Sequence, residues 1–197
     1  MKYYYNNILL LTIFSFMSIG LGQTDDLTDL TLYRNLNQEE FNSAARDTGD
    51  VISSFASPTI YSMGLAWDGE YLWISGQFSE SIYKVTTLGA VIDSIPNPGN
   101  RGLAWDGEYL WAATSVGDRL YKINVETGEV VDSLDSPCSG SYPNGLTYDG
   151  ELLWVSSYNE EDLCGVNTNT GVKVDSISLP NQYGRGVAWT GTNFWWA

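Results

Sequence analysis

The sequence predicts an all-β protein, a β-propeller of four-stranded antiparallel blades, and three observations lead to that prediction. A unit of about 40 residues recurs along the chain, turn residues divide each unit into four short strands, and those strands are apolar on both faces. With 197 residues, 43% of them hydrophobic, the chain has enough apolar material for a packed core.

A ten-residue segment opens each repeat. It runs from Gly64 to Trp73, recurs with every residue identical from Gly102, and recurs in looser form from Gly145 and Gly186. The starts are 38, 43 and 41 residues apart. Each copy reads as strand A, a turn and strand B, because Asp-Gly favours a tight hairpin in which Gly takes a positive φ.

The second half of each unit supplies strands C and D. Strand C carries Ile82-Tyr83-Lys84-Val85 and its counterparts, and strand D is a short apolar stretch that ends in Asp-Ser. Neighbouring positions such as Leu72 and Trp73 are both apolar, as in a sheet covered on both faces. The predicted blades lie near 61–95, 100–134 and 143–179, with a partial blade at 184–197.

These units resemble the repeats of bacterial secreted propellers related to the NHL, SMP-30-like and glutamine-cyclotransferase-like propellers. The matching residues are the Gly-Leu-Ala-Trp-Asp-Gly, Ile-Tyr-Lys and Val-Asp-Ser segments, and the resemblance covers roughly 47–197. It implies the propeller fold. It implies no particular activity, because the shared residues are structural.

The N-terminal part of the chain predicts export. Lys2 precedes an apolar run from Ile8 to Ile19, and small residues follow it, so residues 1–22 are expected to be a signal peptide. The mature protein is then secreted, periplasmic or on the cell surface, with no membrane span. Residues 23–46 form an N-terminal segment with a possible strand at Leu32-Tyr33-Arg34 and a short helix at 37–46.

Two readings of the blade number stay open. In the first, the chain is a fragment of a larger propeller, because relatives of this kind have more than four blades. In the second, residues 47–55 supply strand D to the partial blade at 184–197 and close a four-bladed ring. Closure of that kind removes exposed sheet edges.

Composition excludes several functions. The chain has no histidine, so a Ser-His-Asp triad, a Cys-His pair and an imidazole metal site are absent. Its formal net charge of −15 disfavours nucleic acid as a partner. We expect no cofactor and no catalytic residue. Calcium is possible, but Asp68, Asp106 and Asp149 are expected to act as turn residues on separate blades, too far apart to share an ion.

The candidate binding residues lie on one face of the propeller. Because strands alternate in direction, the D–A and B–C loops meet at one end, the variable face, and the uniform A–B and C–D turns meet at the other, the constant face. The position before each strand-A Gly is expected at the channel mouth, and two arginines there suit a carboxylate or a sugar acid. The variable-face candidates are Arg101, Asn144, Arg185, Tyr142, Tyr158, Tyr183 and Asp118.

The sequence therefore favours a binding module for a carbohydrate, peptide or protein. The alternative is a propeller enzyme of glutaminyl cyclotransferase-like or lactonase-like type, with carboxylates such as Asp118 in the acid–base role. The two cysteines, Cys138 and Cys164, are both expected near the variable face and are candidates for a disulfide. The recurring tryptophans are interpreted as packing between blades, and Asp93, Asp132 and Asp175 as acceptors of inter-strand or inter-blade hydrogen bonds.

Overall fold

The computed structural model describes residues 51–138, 142–159, 161–179 and 185–197. The predicted signal peptide, the N-terminal segment 23–46 and its helix lie outside these residues. The chain divides into two compact units, Met1–Phe55 and Ala56–Ala197. Every strand of the described residues belongs to the second unit, and these residues contain no helix that would reach across a membrane.

The strands form the predicted repeating sheets. Three sheets have four strands and one has two within the described residues. Blade 1 contains β1 (Ser62–Trp67), β2 (Leu72–Gly76), β3 (Ser81–Val85) and β4 (Val91–Pro96); blade 2 contains β5 (Leu103–Trp105), β6 (Leu110–Thr114), β7 (Arg119–Ile123) and β8 (Val130–Asp135); blade 3 contains β9 (Pro143–Tyr148), β10 (Leu153–Ser157), β11 (Asp162–Val166) and β12 (Lys173–Ser178); blade 4 contains β13 (Val187–Trp189) and β14 (Phe194–Trp196).

Each sheet is an antiparallel meander, with its strands paired in chain order from A to D. The strands A of successive blades lie beside one another, since β1 contacts β5, β5 contacts β9 and β9 contacts β13. Short antiparallel sheets that stack around their first strands are the architecture of a β-propeller. The fold class predicted from the repeats is confirmed.

The core lies between blades rather than within one sheet. All five residues of β6 are buried, and they alternate between two partners. Leu110 and Ala112 pack in the cluster shared with blade 1, whereas Trp111 and Ala113 pack in the cluster shared with blade 3. This two-residue period explains why adjacent positions in strand B are both apolar.

The outer strands and the chain before blade 1 differ from this pattern. Strand D is mostly exposed in blades 1 to 3, and β12 is exposed along its whole length. The sequence predicted a strand D within 47–55, but residues 51–55, the part of this stretch that the structure describes, form no strand. The closure of blade 4 by 47–55 therefore has no support from these residues, and it stays a prediction.

Candidate functional site

The polar groups of the constant face are used to hold the fold. In each of the first three blades, the turn aspartate accepts hydrogen bonds through Oδ1 from the amides two and three residues later, and through Oδ2 from the indole of the strand-B tryptophan. For Asp106 the donors are Glu108 N at 2.9 Å, Tyr109 N at 2.7 Å and Trp111 Nε1 at 2.7 Å. Asp68 and Asp149 make the same three bonds in blades 1 and 3. These aspartates are structural, as the sequence predicted, and their bond to tryptophan is an addition to that prediction.

The hydrogen bonds shift the acidity of these aspartates. Burial raises the pKa of Asp68, but the amides of Tyr71 and Glu70, the Trp73 indole and the charge of Lys84 lower it more, so the net pKa lies below its ordinary value. Asp149 follows the same balance: burial raises its pKa, and the bonds from the Leu152 amide, the Trp154 indole and the Glu151 amide outweigh it. Both groups are held in the charged form.

The lysines of strand C support the same structure. Lys84 Nζ lies 4.3 Å from the centre of the Tyr71 ring, and Lys122 Nζ lies 4.1 Å from the centre of the Tyr109 ring. Each of these tyrosines has a raised pKa, chiefly because its hydroxyl is bonded to the neighbouring Glu70 or Glu108. The repeated turn side chains therefore have partners within their own blade.

The strands A bring together the residues that precede the strand-A glycine in successive blades, which the sequence predicted at the channel mouth. The carbonyl oxygen of Arg101 lies 2.5 Å from the place where a Cβ of Gly64 would stand, and Arg185 O lies 2.9 Å from the corresponding point at Gly145. Asn144 O accepts a hydrogen bond from Gly102 N at 2.6 Å. In blades 1 to 3, this repeat position is glycine because the carbonyl of the next blade occupies the space of a side chain. We call this arrangement the Gly–carbonyl contact.

Arg101, Asn144 and Arg185 therefore follow one another at the starts of three consecutive strands A. Asn144 is 7% exposed, Arg101 is half-buried and Arg185 is exposed. The Nε of Arg101 donates to Ser115 Oγ at 3.3 Å, and the guanidinium of Arg185 lies 5.6 Å from the centre of the Tyr158 ring. Neither arginine forms an ion pair with an acid in the described ranges.

A second group of predicted residues forms a connected network on the variable face. Asp118 Oδ1 accepts from Tyr142 N at 2.8 Å, which joins the B–C loop of blade 2 to the D–A loop of blade 3. Tyr142 O accepts from Tyr158 N at 3.1 Å, and Tyr158 carries the guanidinium of Arg185 from blade 4. The structure thus connects Asp118, Tyr142, Tyr158 and Arg185 across three blades.

Two tyrosines of this face have an unusual backbone. Tyr61 and Tyr142 occupy the same repeat position, with φ of 52° and 63°, and each accepts a hydrogen bond from the first residue of the following B–C loop. A bulky residue with positive φ is uncommon and costs about 1–3 kcal/mol. Tyr61 also packs edge-on against Phe78, with ring centres 5.7 Å apart. The sequence identified Tyr142 as a candidate but gave no sign of this conformation.

A disulfide anchors the D–A loop that contains Tyr142. Cys138 and Cys164 form a disulfide with Cα atoms 5.9 Å apart, which ties the D–A loop before Tyr142 to β11. Both cysteines are buried in the core between blades 2 and 3. Tyr183, the remaining predicted site residue, lies outside the described residues.

The remaining polar groups include the strand-D aspartates, whose predicted bonds are corrected by the structure, and two buried atoms in D–A loops. Asp93, Asp132 and Asp175 each accept from the amide of the next serine at 2.7 Å, so these bonds are local rather than inter-strand or inter-blade. Asn100 Oδ1 and Ser136 Oγ, both in D–A loops, are buried and have no hydrogen-bond partner among the described residues. Among the residues with described positions, no group of three Cys, Asp or Glu side chains converges as a metal site.

The fold and these faces define the class of the protein as a β-propeller, and solved structures of low sequence identity share the fold. A glutaminyl cyclase from Myxococcus xanthus aligns with a TM-score of 0.65 and 15% identity over 78% of this chain and 75% of its own. A virginiamycin B lyase from Staphylococcus aureus aligns with a TM-score of 0.53 and 16% identity over 77% of this chain and 54% of its own.

A hydrazine synthase from Kuenenia stuttgartiensis also aligns, with a TM-score of 0.50 and 18% identity over 73% of this chain. The present chain spans 42% of the length of that structure. No protein-family model matches the sequence, and no curated protein matches it. These likenesses establish the propeller fold.

Proposed function

We propose that this protein is a secreted or cell-surface binding module that recognises a carbohydrate, peptide or protein through its variable face. The observation that carries the proposal is the network of Asp118, Tyr142, Tyr158 and Arg185, which places aromatic, acidic and basic groups from three blades side by side. The described residues of the constant face show no comparable set, because the turn aspartates and the lysines Lys84 and Lys122 have partners in their own blades.

The backbone of the variable face supports the same proposal. The equivalent residues Tyr61 and Tyr142 are held in an unfavourable backbone conformation. They are 62% and 49% exposed, so packing of their rings does little to offset the strain. Strain of this kind is concentrated at sites where a side chain must be presented in one position. Exposed tyrosines beside charged and amide groups suit sugars and peptides.

A variant at Tyr142 separates binding from folding. Tyr142→Gly removes the exposed ring and relieves the positive φ, so the thermal transition should stay the same or rise while binding falls. Tyr109→Ala, on the constant face, is the matched control and should leave binding unchanged. The measurement is binding of the wild-type chain to glycan and peptide arrays, followed by titration of the best ligand with both variants. Equal loss of binding in the two variants would remove the variable face from consideration.

An enzymatic role is the second candidate. The structural neighbour described as a glutaminyl cyclase shares the fold over three quarters of its length, and Asp118 offers a carboxylate at the variable face. The test is cyclisation of a peptide with N-terminal glutamine, together with lactone hydrolysis, each with and without calcium. Turnover that is lost in Asp118→Asn, with no ligand found on the arrays, would replace the binding proposal by the enzymatic one.

A further inference from the structure

The basic residues of the propeller are divided by type between its two faces. Arg101, Arg119 and Arg185 all lie at the variable-face ends of their blades. Lys84 and Lys122 lie over turn tyrosines of the constant face, and Lys173 opens β12 just after a C–D turn. A guanidinium binds a carboxylate through two parallel hydrogen bonds, whereas an ammonium acts as a point charge. The variable face therefore carries the cations suited to a planar anion.

Two of these arginines have no acidic partner among the described residues. The chain has 24 acidic and 9 basic residues, so carboxylates are plentiful. Within the described ranges, Arg119 forms the one ion pair, with Asp135 at 2.9 Å, and also donates to Ser133 Oγ. Arg101 donates through Nε to a serine hydroxyl, and Arg185 lies over a tyrosine ring. No described residue accepts from the terminal nitrogens of Arg101 or Arg185.

The fold sets these two arginines on either side of one amide residue. The Gly–carbonyl contacts place the backbones of Arg101, Asn144 and Arg185 beside one another, in that order, at the starts of three adjacent strands A. An aromatic surface adjoins the last of them, because Arg185 lies over Tyr158, and the amide of Tyr158 is bonded to the carbonyl of the exposed Tyr142. Cations, an amide and exposed ring surface therefore lie on neighbouring segments of the variable face.

From this combination we infer that the variable face selects an acidic oligosaccharide whose sugars carry carboxylates, that is, a uronate-containing chain. A hexuronate has a carboxylate attached directly to a ring with an apolar face. Arg101 and Arg185 bind the carboxylates, Asn144 bonds a hydroxyl group, and Tyr142 stacks on a sugar face. An acidic peptide offers the carboxylate without the flat apolar ring, so the tyrosines favour the sugar. The inference rests on the proposed binding function and names its ligand class.

The test is calorimetric titration of the full chain with tri-galacturonate, with its methyl ester and with an acidic tripeptide. We expect tri-galacturonate to bind, and the ester, which lacks the charges, to bind at least about tenfold more weakly. A tenfold change in affinity corresponds to the loss of about one charge-assisted contact. Arg101→Gln and Arg185→Gln should each weaken binding of the acid by a similar factor. Arg119→Gln is the matched control, since that arginine is on the same face but already paired, and should change the affinity less than about twofold.

The possible outcomes separate this inference from the function on which it rests. Equal binding of acid and ester, an equal effect of Arg119→Gln, or tighter binding of the acidic tripeptide would each overturn the uronate assignment. If neutral ligands bind, and Tyr142→Gly abolishes that binding, the binding function stands and the acidic ligand class is wrong. If no array or titration ligand binds, both fail. A thermal transition for each variant shows that it is folded.

Discussion

The bond between a turn aspartate and the next tryptophan gives the sharpest prediction about the fold. Asp106 receives two backbone amides and the indole N–H of Trp111, a side chain that is fully buried. Replacing Asp106 by alanine removes all three acceptors and leaves a buried indole donor unpaired. Replacing it by asparagine keeps one acceptor oxygen. The side-chain NH₂ group of the asparagine then faces one of the N–H donors that the lost oxygen had accepted from.

The magnitude follows from the number of bonds lost. A hydrogen bond to a charged group contributes about 1.5–3 kcal/mol, and an orphaned buried donor costs about 1–3 kcal/mol. We expect Asp106→Asn to lower the free energy of unfolding by about 2 kcal/mol and Asp106→Ala by about 4 kcal/mol, because part of the exposed turn can bond to water instead. For a chain of this size the melting temperature falls by about 2–4 °C per kcal/mol.

The assay is urea and thermal denaturation of both variants, monitored by circular dichroism. Asp132→Ala is the control, because Asp132 also accepts a short bond but only from the next residue on an exposed strand. We expect that control to lose less than about 1 kcal/mol. If Asp106→Ala is no less stable than Asp132→Ala, the bond to the tryptophan contributes nothing, and the turn is held by its backbone alone.

Three further predictions concern blade contacts, the disulfide and pH. Gly102→Ala should lower the free energy of unfolding by about 1–3 kcal/mol, because its Cβ would meet Asn144 O and lie 2.7 Å from Leu146 N. Gly186 occupies the same repeat position with no described atom within 4 Å, so Gly186→Ala should be neutral. A similar loss of stability in Gly186→Ala would contradict the role of the contact. Cys138→Ser with Cys164→Ser should cost about 3 kcal/mol for a separation of 26 residues, measured by urea denaturation against the oxidised wild type, and unchanged stability would refute it. Because the folded-state pKa values of Asp68 and Asp149 are lowered, the unfolded chain binds more protons in acid; stability should fall as the pH drops below about 4, through the folded-state values, and Asp68→Asn should flatten that dependence.

The repeat made the architecture predictable from sequence. Asp68, Gly69 and Trp73 recur at fixed spacing, so strands A and B, the hairpin between them and the packing role of the strand-B tryptophan follow from local turn chemistry and a two-residue period. The hydrogen bond from the Trp73 indole to Asp68 could have been predicted from the same repeat, since the two residues are five positions apart in each of the first three blades. Counting back from the strand-A glycine also identified Arg101, Asn144 and Arg185 as equivalent positions, and their place at a channel mouth stays a prediction.

The variable face was predictable only in outline. Nothing in the sequence indicates that Tyr61 and Tyr142 have a positive φ, because tyrosine is an unusual residue in that conformation and the backbone is fixed by a neighbouring loop. The partner of Arg101 is Ser115, which lies in another loop and has no repeat signature. Asp93 bonds to its own neighbour because strand D is exposed, which periodicity alone does not distinguish from an inter-blade contact.

The Gly–carbonyl contact also has a consequence for how propellers of this kind change over evolutionary time. It joins a glycine of one blade to a backbone oxygen of the next, so the contact does not depend on which side chains the adjoining blade carries. Duplication or loss of one repeat, such as the identical copies that begin at Gly64 and Gly102, would recreate the same contact at the new boundary. The number of blades can then vary while each added blade brings one more pair of loops to the variable face, and with them a new set of side chains for recognition.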